Sequence, residues 1–300
     1  MINGLKVVPD TDKGYGNMKN IYAVVCLVLG LLFHSSCQTS DVVANVTEEM
    51  ELSRAMTSDV QRIVESVRQG NADAYKELAC AYRDGNGVEQ SNINAMYMYL
   101  MYCTKKGLPE ETIVELYDKD SPSRLLWEIL IAGEGKESTE EKITRLQQTS
   151  PADAKVLISL GDSMMNQDKD NFLGILQEAE AEGSEFAVIL QAMLYEESKQ
   201  IEAYVNFLNQ AVNKFPFLYV KLAKIYEDRY EQDNDFMNIQ KALEYYYEAD
   251  AYGMLNNSSA NQICRIYEKF SQKGLIEKNE VEMERMKQIM KREKSPIITE

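Results

Sequence analysis

Apolar and small residues recur along much of the chain at the four-residue spacing that lines one side of a helix. Ala74, Leu78 and Tyr82 form one such series, and Ala95, Tyr99 and Cys103 form another; positions four apart stack on the same helix face. Between the two series, Gly85, Gly87 and the polar residues to Asn92 must turn the chain back. Small residues alternating with a large ring let two antiparallel helices approach closely while the ring fills the gap. The predicted unit is a helical hairpin that closes at Gly107.

Fainter copies follow. Leu160, Gly161 and Met164 repeat the spacing of Leu78, Ala79 and Tyr82, as do Gln191, Ala192 and Tyr195, then Leu222, Ala223 and Tyr226, then Ile263, Cys264 and Tyr267. The anchors at 82, 164, 195, 226 and 267 are 82, 31, 31 and 41 residues apart, and the first gap is about two repeats. One constant offset carries Gly70, Ala74, Ala79 and Tyr82 onto Gly183, Ala187, Ala192 and Tyr195, and the step from Ala242 to Tyr246 copies that from Ala95 to Tyr99. Ser121-Pro122 and Ser150-Pro151 each place an N-cap side chain before a proline suited to the first helical position. Ser138-Thr-Glu-Glu141 reads as a capping box, and Pro216 starts another helix. No alternating run with hairpin turns suggests a strand. Eleven or twelve helices are expected between residues 58 and 293, an all-α chain.

The first hairpin resembles a Sel1-like repeat, a relative of the tetratricopeptide repeat. The resemblance rests on Leu78-Ala79, Tyr82, Gly85-x-Gly87-Val88, Ala95, Tyr99 and the closing Gly107, over about 38 residues. Cys103 stands where the family commonly has Ala, and Ser91 where an acidic residue is frequent. The resemblance implies an α-solenoid of stacked antiparallel helix hairpins over 58–293, acting as an adaptor or scaffold for another protein.

The amino-terminal stretch has a different pattern. Ile21 to Phe33 is an apolar run preceded by Met18-Lys19-Asn20. It is too short to span a bilayer core, which needs about 20 helical residues, and has the length of a secretory h-region. The following Ser35-Ser36-Cys37 resembles the end of a bacterial lipobox, with His34 where that family usually has Leu. The resemblance implies cleavage before Cys37 and lipidation of its thiol. Residues 1–36 are then an upstream extension plus signal peptide, with translation expected from Met18. Residues 37–57 are a lipid-anchored tether, and 294–300 a flexible tail. The address implied is a bacterial envelope, with the protein anchored to the outer membrane.

Charge and composition narrow the chemistry. The 300 residues carry 48 acidic and 32 basic side chains, a formal net charge of -16, which repels phosphates and argues against nucleic acid. Loss of the leader removes His34, the only histidine, and with it Ser-His-Asp and Cys-His nucleophiles and His-based zinc sites. Cys80, Cys103 and Cys264 make an odd set with no C-x-x-C. Each suits a small buried slot, although a Cys80 to Cys103 bridge stays open. Asp233, Asp235 and Glu244 have the spacing of a calcium loop, but Met237 and Asn238 occupy positions that need an oxygen ligand and Gly. Carboxylate neighbours such as Glu140-Glu141 and Glu196-Glu197 are expected by chance in so acidic a chain. No catalytic residue, cofactor, metal or small-molecule substrate is expected.

Two aromatic clusters remain, Met96 to Tyr102 and Tyr245-Tyr-Tyr247. Consecutive helical positions point 100° apart, so rings must face more than one way. Tyr99 and Tyr246 match the inward slot; Tyr97, Tyr102, Tyr245 and Tyr247 are the candidates for a partner-binding surface, packing against a neighbouring repeat being the other reading. The function expected is that of a non-catalytic, exported, lipid-anchored adaptor for a protein partner. A peptidoglycan- or glycan-binding envelope protein is the alternative, disfavoured because the one tryptophan, Trp127, lies in a strongly apolar helix. A carboxylate-dependent hydrolase is weaker still.

Overall fold

A computed structural model describes residues 56–130, 137–166, 169–198 and 200–291, the side chains of residues 161–170 excepted. The described residues are helices and the turns between them, with no strand among them. Thirteen α-helices run in order: α1 Ser58–Arg68, α2 Ala72–Asp84, α3 Asn92–Lys106, α4 Pro122–Leu130, α5 Thr139–Thr149, α6 Pro151–Asn166, α7 Lys169–Ala181, α8 Glu185–Ser198, α9 Ile201–Ala211, α10 Tyr219–Asp233, α11 Phe236–Ala251, α12 Asn257–Gln272 and α13 Glu280–Met290. Short 3-10 segments occupy Glu110–Leu116 and Pro216–Leu218. The count exceeds the expected eleven or twelve, and the weakly patterned interval between the anchors at 82 and 164 alone holds α3 to α5 and most of α6.

Local chemistry sets the boundaries. Asn71 and Ser91 accept backbone N–H bonds at the starts of α2 and α3, satisfying donors that have no partner inside the helix. Ser138 and Glu141 form the predicted capping box, and Asn256 with Ser259 forms another. The hairpin turn requires glycine: Gly85 (φ 68°) and Gly107 (φ 66°) end α2 and α3 in the left-handed region. Asn234 (φ 56°) does the same after α10.

Successive helices pack as neighbours, most extensively α2 on α3 and α10 on α11. The small-residue slot is buried in every copy whose side chains are described: Ala79, Ala192, Ala223 and Cys264. The ring slot is not equivalent, since Tyr82 is buried while Tyr195, Tyr226 and Tyr267 are half-buried. The thiols of Cys80, Cys103 and Cys264 are free, so the Cys80 to Cys103 bridge is absent. Burial pushes the Cys103 thiol up to about 12, with Glu110 and Glu115 adding to the shift, which leaves it a poor nucleophile.

The two ends of the array meet, whereas a linear repeat array contacts only its neighbours. Gly70 (φ 82°) lies so near α13 that a Cβ there would sit 2.6 Å from the Gln288 carbonyl oxygen. Lys105 at the end of α3 is fully buried and donates to the Ile289 and Lys291 carbonyls, placing its charge on the negative end of α13. Asp250 at the end of α11, its side chain 2% exposed, accepts from Arg68 of α1 (3.0 Å) and from both Nη atoms of Arg285 of α13 (3.0 and 2.7 Å).

Candidate interaction surface

The four candidate tyrosines lie on two helices, α3 and α11, and the structure separates them. Tyr97 is a correction to the sequence reading. It is 1% exposed, its ring stacks on Phe217 at 5.1 Å, and its hydroxyl donates to the Met254 carbonyl at 3.0 Å. All of Met96 to Met101 is buried, because α3 is enclosed by α2 on one side and by the 3-10 segments, α8 and the end of α13 on the others. A signal for this was present in the sequence: α3 has no charged residue before Lys105, and a helix without a polar face is buried all round. Tyr99 occupies its inward slot as expected, and burial pushes its hydroxyl up to about 12.

Tyr102, one turn later, is half-buried at the rim, its ring 5.4 Å from Tyr99 and 5.6 Å from the ammonium of Lys76 on α2. On α11 the rings diverge, since positions two apart point 200° apart around the axis. Tyr245 turns to α10, stacking near Tyr219 (6.1 Å) and Tyr226 (5.5 Å), with the Lys241 ammonium 5.1 Å from its ring. Tyr247 turns to α12, where its hydroxyl meets that of Tyr267 at 2.7 Å. Tyr246 fills the inward slot and donates to the Glu227 carboxylate. Each of Tyr245 and Tyr247 therefore packs on a neighbouring helix and keeps part of its ring in solvent.

Tyr226 completes an aromatic group that the pattern of the chain did not single out. Its ring lies under the Arg229 guanidinium at 4.8 Å and beside Tyr245. The signal was available, because Tyr219 and Tyr226 are seven apart and share a face of α10. The spacing makes Tyr226 the counterpart of Tyr82, whose ring is buried. Tyr226 itself stays half-buried.

The other candidate chemistry has local structural duties. Asp233 accepts from the Asp235 N–H (2.7 Å) and from Asn238 Nδ2 (2.9 Å), and Asp235 caps α11 through the Met237 N–H (3.0 Å). Among the described residues no group of three or more His, Cys, Asp or Glu is arranged to hold a metal ion. Glu141 is spent in its capping box, where the Ser138 N–H holds its carboxyl below the usual range; Glu196 pairs with Lys221 at 3.1 Å. Trp127 is buried, 2% exposed. Cys37 lies outside the described residues, as do Lys294 to Glu300 and the leader. No described helix is long and apolar enough to cross a membrane. Compared with family models and with curated proteins, the chain matches none.

Proposed function

We propose that the chain is a non-catalytic, exported lipoprotein, anchored through Cys37 to a bacterial outer membrane, whose Sel1/tetratricopeptide-like helical repeats bind a protein partner as an adaptor or scaffold. The observation that carries the reading is the half-exposed aromatic surface on an otherwise tightly packed helical array, formed by Tyr245 and Tyr226 with Tyr247 and Tyr102 on other faces. Tyrosine supplies a large contact area at low entropic cost and is enriched at binding hot spots. The helices that carry these rings are fixed by caps and by buried small-residue crossings, so the surface is preorganised. Trp127 is buried, so its indole is closed to a sugar. The repeats form an α-solenoid curved enough for its first and last helices to touch.

Detergent-solubilised full-length protein, used as bait against envelope proteins and in parallel sedimented with cell-wall material, distinguishes adaptor from glycan binder. The adaptor reading expects a saturable protein partner whose affinity falls by more than about 1 kcal/mol on Tyr245→Ala or Tyr102→Ala, and expects Cys37→Ala to leave the membrane fraction. Co-sedimentation with cell wall, with no protein captured, overturns it.

A further inference from the structure

A groove of about 760 Å³ opens to solvent between α1 and α2, on a face that the tyrosines do not use apart from Tyr102 beyond its edge. Its floor is apolar, made by Val60 and Ile63 of α1 with Ala81 and the half-buried Cys80 of α2. Its rim is acidic: Asp59, Asp73, Glu77 and Asp84 surround it. Lys76 is the one cation lining it among the described residues, and its ammonium lies towards the Tyr102 ring. Asp59, Asp73 and Asp84 are paired with Arg62, Lys106 and Arg83, but their side chains are 76%, 66% and 39% exposed. Such solvent-screened pairs hold little free energy and exchange readily for a better partner.

An apolar trough with a ring of carboxylates complements a segment that carries both lysine or arginine and an apolar anchor. Within the chain, residues 38–55 contain Asp41, Glu48, Glu49 and Glu51 against Arg54, the same sign as the rim, and residues 292–300 balance Arg292 and Lys294 against Glu293 and Glu300, so neither carries the excess positive charge that the rim calls for. A second copy, at a net charge of -16, is repelled as well. We infer that this groove is a docking site for a positively charged, amphipathic segment of a partner protein, with apolar side chains on Val60 and Ile63 and cationic ones against Glu77 and Asp84. The inference rests on the adaptor reading for the existence of a protein partner, and not on Tyr245 or Tyr247.

The test uses the full-length protein in detergent and a fluorescent twelve-residue peptide of Lys and Leu at helical spacing, with its Glu/Leu counterpart as control. Anisotropy should show at least tenfold tighter binding of the Lys/Leu peptide at low salt, weakening as salt rises. The double variant Glu77→Lys, Asp84→Lys should weaken it at least tenfold. A matched double reversal on α9 and α10, Glu202→Lys with Glu231→Lys, should change it less than twofold. In the wild type the peptide should slow iodoacetamide alkylation of Cys80, read by mass spectrometry at that residue, at least fivefold, a readout that needs no variant to fold. Equal weakening by the two double variants means diffuse attraction to an acidic surface and overturns the inference, as does an unchanged Cys80 rate or no peptide binding. If the groove fails while a captured partner still depends on Tyr245, the adaptor reading survives without it; if peptide binding succeeds and a captured partner is indifferent to Tyr245→Ala and Tyr102→Ala, the groove stands and the tyrosine surface falls.

Discussion

Helices α3 and α11 carry the same repeat signature and end in different environments. Ala95 and Tyr99 of α3 correspond to Ala242 and Tyr246 of α11, and in both helices these positions are buried. The rings beside them diverge. Tyr97 is sealed under Phe217 and Met254, whereas Tyr245 and Tyr247 keep partial access to solvent. The repeat pattern therefore specifies only the face shared within a hairpin. Whether the other faces are covered depends on what the array's curvature brings against them: around α3 both 3-10 segments, α8 and the tip of α13; around α11 its flanking helices α10 and α12 and the Pro216–Leu218 segment. Composition follows this, since α3 lacks acidic residues while α11 carries Lys241 and the exposed Glu244.

The sharpest way to break this contrast is to truncate one ring on each helix. Tyr97→Ala removes a fully buried ring and strands the Met254 carbonyl, so it should lower the unfolding free energy by about 3 to 5 kcal/mol. Tyr247→Ala, half in solvent, should cost about 1 kcal/mol. Urea denaturation followed by circular dichroism measures both. Equal losses would mean that the two helices are buried alike and that the exposed tyrosines belong to the core.

Next in size is the clasp that encloses α3. Asp250 holds Arg68 and Arg285 together, so it joins the first helix to the last. Removing one partner of a fully buried pair costs about 3 to 5 kcal/mol. The Arg68 and Arg285 side chains are 34% and 20% exposed, which lets water rescue them, and Asp250→Asn should cost about 2 kcal/mol. Hydrogen exchange should show α13 losing protection before α10 and α11, because few contacts besides this clasp and Lys105 hold it to the amino-terminal repeat. Uniform loss of protection across all helices would show that the ends are not a separate unit.

These contrasts also mark where the chain's pattern was legible. The hairpin turn at Gly85, the cap at Ser138, the closing Gly107, and the buried small-residue slots at Ala79, Ala192, Ala223 and Cys264 follow from local spacing, and local spacing is what a single sequence displays. Enclosure of Tyr97 depends on Phe217 and Met254, and that of Lys105 on Ile289, all more than a hundred positions away. Nothing in residues 92–106 names those partners. The candidate surface was legible to the same degree: Tyr102, Tyr245 and Tyr247 keep exposed area, Tyr97 does not, and Tyr226 joins them because, unlike its counterpart Tyr82, it is only half-buried.

The smallest expected effect concerns the proton at the buried end of the Tyr246 bond. Burial raises the Glu227 carboxyl above its ordinary 4.5, and the Tyr246 hydroxyl, Lys224 on its own helix and Arg265 on α12 only partly offset this, with Asp228 adding to the rise. The native state thus holds this proton more tightly than the unfolded chain does. Its contribution to stability is fully present below pH 4.5 and is lost as pH rises through the raised native value. Glu227→Gln stays neutral and can still accept from Tyr246, so the difference in stability, variant minus wild type, should grow more favourable to the variant as pH rises from the ordinary 4.5 through the raised native value, and then level off. The effect should be smaller than that of Asp250→Asn, because Glu227 retains some solvent access. Denaturation curves at several pH values, taken at constant salt, measure that difference free of the background slope from the chain's other carboxylates. A difference that does not vary with pH would show that Glu227 titrates as an exposed acid, and that the inward slot of α11 is as open as its outer face.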